Sequence, residues 1–96
     1  MVTRPNFARL DARAEQEGAA HADRVLEILA TFPREAAEEV LDLGALTLGA
    51  ALDKTATVLR KHTGTPESEI ELFAALVKAA YGARMAVALM PAPRSA

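Results

Sequence analysis

The sequence predicts an all-α fold of three long helices forming a hairpin or bundle that associates with copies of itself. Three observations carry that expectation. Apolar residues recur at spacings of three and four through most of the chain, and no strand-like alternation of useful length occurs. Breakers fall at only two internal points, Thr31-Phe32-Pro33 and Thr63-Gly64-Thr65-Pro66, with Pro91 and Pro93 closing the last periodic segment. Finally, 22 of the 96 residues are alanine, which gives helix propensity but little burial energy, so the core of one chain is thin. Small domains with thin cores often gain stability by self-association.

The first helix, 7–31, places Phe7, Leu10, Ala14, Gly18, Ala22, Val25 and Leu29 on one face, with Phe32 beyond. No large apolar residue occupies that face between Leu10 and Val25, and glycine inside a helix costs about 1 kcal/mol against alanine. Fraying or a break is expected near Gly18. The second helix, 34–62, has the strongest pattern: Ala37, Leu41, Gly44, Leu48, Ala51, Thr55, Val58 and His62 step by four and three alternately, as in a heptad seam. Leu43, Leu46 and Leu52 lie off that seam, so the segment from Val40 to Leu52 should be covered on more than one side. Gly44, Ala45, Gly49, Ala50 and Ala51 leave room for a second backbone. The expected oligomer interface therefore comprises Leu41, Gly44, Leu48, Gly49, Ala51, Leu52, Thr55 and Val58.

The third helix, 66–90, opens with Thr65 as N-cap and Pro66 at its first position. Glu67, Glu69 and Glu71 complement the positive end of the helix dipole. Phe73, Leu76, Ala80, Ala83, Val87 and Met90 form its expected seam. Residues 1–90 read as a single oligomerisation domain and 91–96 as a disordered tail.

Composition narrows function. The absence of cysteine removes disulfides, thiolate metal sites and cysteine nucleophiles. Charged residues from Arg4 to Glu17 interrupt any secretory signal, and the longest apolar stretch, Val40 to Leu52, falls well short of the ~20 residues that span a bilayer. A cytoplasmic protein with no membrane partner is expected. Four aromatics are too few for a single-strand stacking platform. Glu17 and His21 share a helix face, but a metal needs at least three converging ligands. His62 suits the negative end of a helix. Glu35, Glu38, Glu39 and Asp42 are expected at a helix start for dipole reasons, and neither serine has a neighbouring base. Phosphate-loop and dinucleotide glycine patterns are missing. No catalytic residue, cofactor, metal or small-molecule substrate is expected.

Charge is segregated. Residues 1–13 carry +2, residues 14–52 carry −6 and residues 78–96 carry +3, around a total of −2. Such segregation fits a solvated helix face, or complementary patches towards another subunit or a charged partner.

The run from Leu43 to Lys54, reading LGALTLGAALDK, followed by Val58-Leu59 and Gly64-Thr65-Pro66, resembles a segment of small terminase subunits of tailed bacteriophages and phage-like particles. In position, Asp53 and Lys54 match that family's Asp-Lys pair and 44–52 its assembly helix. The resemblance implies a non-catalytic subunit that forms a ring and presents DNA to a large-terminase motor. The chain departs from the family where a helix-turn-helix is usual, since the residues before the assembly helix read as one helix. Contacts to DNA phosphates would then fall to Arg4, Arg9 and Arg13, with strong salt dependence and little reading of sequence. A helical adaptor that binds a basic protein through the acidic middle is the alternative.

Overall fold

The computed structural model describes residues 7–89, with side chains described from residue 11 onward. It is all-α. Helix α1 spans Phe7–Thr31, α2 spans Ala37–His62 and α3 spans Glu67–Leu89. A 3-10 turn, Arg34–Ala36, precedes α2, so that helix starts later than its sequence pattern suggests. Pro33 is extended at φ −60° and ψ 151°, and the Ala36 N–H closes the turn on the Pro33 carbonyl at 2.9 Å. Met90, placed on the expected α3 seam, and the expected tail 91–96 lie outside the described residues.

Helix α1 is continuous through Gly18, contrary to the expected break. The reason is packing. A Cβ on Gly18 would stand 2.5 Å from the Val77 carbonyl oxygen, 2.8 Å from the Ala80 Cβ and 2.9 Å from the Tyr81 nitrogen. Helix α3 occupies the space that a side chain would take, and the dispersion attraction between the two close backbones outweighs about 1 kcal/mol of lost helix propensity. Ala14 and Ala22, one turn either side, are fully buried, so α1 meets α3 through small residues.

On the predicted α1 face Ala14, Gly18, Ala22 and Val25 are buried and Leu29 is half-buried, Phe32 is exposed, and the side chains of Phe7 and Leu10 lie outside the described residues. The other two faces differ from expectation. In α2 the buried row is Val40, Gly44, Leu48 and Leu52, in steps of four, whereas Ala51, Val58 and His62 of the heptad seam are exposed. A row in steps of four is the ridge of a helix that crosses its neighbour, which explains the drift away from the heptad. In α3 the buried residues are Ile70, Phe73, Val77 and Met85, while Ala83 and Val87 of the expected seam face out. The close approach at Gly18 sets the rotation of α3. Its own sequence does not, being apolar on nearly every side.

Two clusters make the core. Ala14, Leu48, Leu52, Phe73 and Val77 form one, Ala22, Val25, Val40 and Met85 the other, and Tyr81 packs against both. The result is a slab of 55 × 32 × 16 Å. Between α2 and α3 the chain turns at Gly64, whose φ of 63° is the only positive value among the described residues. The Leu59 carbonyl accepts the Thr63 and Thr65 N–H groups, each at 3.2 Å. The Thr65 hydroxyl pairs with that of Thr63 at 2.6 Å and makes no bond to the first turn of α3, so it does not cap α3 as its sequence position suggests.

Candidate interaction face

Among the described residues, no three His, Asp or Glu side chains gather closely enough to hold a metal ion. Glu35, Glu38, Glu39 and Asp42 all lie exposed around the start of α2, and Ser68 lies exposed at the start of α3.

The three helices meet at one polar node. From α1, His21 Nε2 donates to the Gly44 carbonyl of α2 at 2.9 Å, and the Thr47 hydroxyl donates to the same oxygen at 3.0 Å. Acceptance by that carbonyl assigns the ring proton to Nε2. The His21 ring also tilts against Tyr81 of α3, with centroids 5.4 Å apart. Gly44 permits the junction, because a Cβ there would come within 2.8 Å of Val25 Cγ2 and 3.0 Å of the Tyr81 hydroxyl. Burial raises the Tyr81 phenol above its ordinary pKa. Nothing in the spacing revealed this node: His21 and Gly44 are 23 residues apart, and the one local hint was a glycine on the predicted contact row of α2.

Beyond the node, apolar surface remains open. Ile28 of α1, Phe32 just past its end and Leu43 of α2 line a groove of about 260 Å³ with Val25 and Val40. Their exposures are 44%, 52% and 59%, and Leu46, on the next turn of α2, is 70% exposed. A second groove, between α1 and α3, is lined by Ala19, Leu76, Ala83 and Val87. Helix α3 is long and apolar enough to cross a membrane by length and composition, with a mean hydropathy of 1.5 over its most apolar window, of which 17% is buried. Contiguous exposed apolar surface is the kind that protein and membrane interaction sites use.

The predicted interface residues divide between roles. Gly44, Leu48 and Leu52 are buried within the chain, Leu41 and Thr55 are half-buried, and Ala51 and Val58 lie exposed beside the cleft between α1 and α2. Gly49 has no neighbour within 4 Å inside the chain. Of the arginines expected at DNA, Arg4 lies outside the described residues and Arg9 falls in the first turn of α1. Arg13 is exposed and paired with Glu17 at 3.1 Å. Asp53 and Lys54 are exposed on α2. Comparisons with protein-family models, curated proteins and solved structures give no match to this chain.

Proposed function

We propose that this chain is a non-catalytic helical subunit that assembles with copies of itself, most specifically a small-terminase-like protein that presents duplex DNA to a phage or phage-like packaging motor. The observation supporting assembly is the large apolar surface that one chain leaves open: Ile28, Phe32, Leu43 and Leu46 on one side, Leu72, Val87 and Leu89 on α3. The DNA component draws on the resemblance of residues 43–66 and on Arg4, Arg9 and Arg13. A cytoplasmic location fits this role. The two-point pairing of Arg84 with Asp23, at 3.0 and 3.2 Å, and the packing of α3 on Gly18 support α3 as a helix of a water-soluble fold.

Light scattering on the purified chain tests assembly, and a stable monomer at tens of micromolar overturns it. Titration of duplex DNA over a salt series tests the packaging role, which requires affinity that falls steeply with salt. A helical adaptor that binds a basic protein is the second reading. It is favoured by the four exposed acids at the start of α2, none of which takes part in an ion pair among the described residues. That reading expects binding to a polycationic peptide and none to DNA.

A further inference from the structure

A row of exposed residues runs along α2, Glu39, Leu43, Leu46, Ala50, Lys54, Val58 and Lys61, with Leu43 edging the groove beside Ile28 and with Lys54 and Val58 edging the cleft beside Arg13 and Glu17. The spacing of three and four keeps these residues on one side of the helix. Leu43, Leu46 and Val58 are 59%, 70% and 53% exposed, and Ile28 and Phe32 widen the apolar area beside Leu43. The ends of the stripe differ in charge. Glu38, Glu39 and Asp42 make its start acidic, and Lys54 and Lys61 make its end basic.

We propose that this stripe is the contact with a second copy of the chain, packed with its α2 antiparallel across a two-fold axis near Ala50. The inference rests on the self-assembly part of the reading above and adds the surface and the orientation; a two-fold contact closes a dimer, so a ring would need a further, different contact between dimers. Glu39 and Lys61 are each eleven residues from Ala50 in sequence (50 − 39 and 61 − 50), so the antiparallel pair places Glu39 against the partner's Lys61, and the two-fold repeats that contact at the other end. A parallel pair would instead set Glu39 against the partner's Glu39 and lysine against lysine. Leu46 meets the stem of the partner's Lys54, whose methylenes cover apolar surface while the ammonium stays in water. Ala50 on the axis lets the two backbones approach closely.

The chain has no cysteine, so single cysteines report on orientation without interference. The test treats full-length Glu39→Cys and Lys61→Cys, separately and mixed, with a short bismaleimide, alongside light scattering. The expected result is a covalent dimer from the mixture and from Ala50→Cys alone, with neither Glu39→Cys nor Lys61→Cys dimerising by itself. Self-crosslinking of Glu39→Cys indicates a parallel pair and overturns the proposal. An oligomer that none of these cysteines crosslinks overturns the proposal while leaving self-assembly standing, and a monomer overturns both. Leu46→Lys sets a lysine against the partner's Lys54 on both sides of the two-fold and is expected to raise the dimer dissociation constant at least tenfold, as like charges facing each other across an interface do, with unchanged helix content in the monomer. An unchanged constant overturns the assignment. Loss of DNA binding alone, with the crosslinks intact, counts only against the packaging role.

Discussion

At Gly18, α1 and α3 approach so closely that a single Cβ would press on the backbone of Val77, whereas at Gly49, on α2, a Cβ would meet nothing within 4 Å. Both glycines sit inside helices rich in alanine, and the two differ in what faces them. The α1–α3 pair is sealed by the fully buried Ala14 and Ala22 and by Val77 at 1% exposure, while the outward side of α2 presents leucines to solvent. One region is finished within the chain. The other is surface that a single copy leaves open.

The largest effect that separates them is expected from Gly18→Ala. The added methyl must push α3 away or bend α1, because its nearest neighbours include backbone atoms, and overpacking of this kind costs about 1–3 kcal/mol. Gly49→Ala should do the reverse and stabilise the chain by up to ~1 kcal/mol through helix propensity. Urea unfolding of the two variants checks both signs. Equal effects would mean that α1 and α3 are not in contact at Gly18.

A second contrast sets Val77 against Val58. Val77→Ala removes a buried side chain from the first core cluster and should cost about 2 kcal/mol, whereas Val58→Ala, at 53% exposure, should stay within about 0.5 kcal/mol in the monomer. Thermal unfolding at low protein concentration reads both. At concentrations where copies associate, the Val58 variant should lose stability as well, because Val58 lies on the proposed contact stripe.

These contrasts explain which parts of the architecture could be read from sequence. The face of α1 was legible because its apolar residues are few and stand among charges, so their spacing marks a side. On α3 the same method failed. Leu72, Leu76, Ala83 and Val87 compete with Ile70, Phe73, Val77 and Met85, and periodicity cannot choose between them. The choice is made by Gly18, on another helix. On α2 the heptad seam shared Gly44 and Leu48 with the buried row, then diverged from it as the row advanced in steps of four. The polar node was illegible for a different reason. Its hydrogen bond joins a side chain to a backbone carbonyl, and backbone acceptors have no residue signature.

That node holds α2 to the finished pair, and His21→Ala should measure how firmly. The substitution leaves the Gly44 carbonyl with the Thr47 hydroxyl as its remaining side-chain donor and removes the ring that tilts against Tyr81. A loss of about 1 kcal/mol is expected, on the scale of one net hydrogen bond. Amide exchange should quicken mainly in α2, with α1 and α3 less affected. Uniform acceleration across all three helices would indicate that α2 is no more loosely held than the rest.

The smallest expected effect is at the other attachment of α2, the turn into α3. Arg60 and Glu67 form a two-point ion pair across it, with Arg60 Nη2 to Glu67 Oε1 at 3.1 Å. The hydrogen bond from Arg60, and then its charge, hold the Glu67 carboxyl below the usual carboxylate range. A carboxyl whose pKa falls on folding stabilises the folded state above its unfolded pKa of about 4.3, and that contribution is lost as pH falls through the lower folded value. Glu67→Gln should therefore melt slightly below the native chain at neutral pH, and the two should converge as acid protonates the carboxyl. Both side chains are exposed, so the difference should also shrink with added salt, as Coulomb attraction between solvated charges does. A gap that persists in acid would show that glutamine disturbs the turn by shape and not by charge. The pair would then contribute nothing to holding α2 in place.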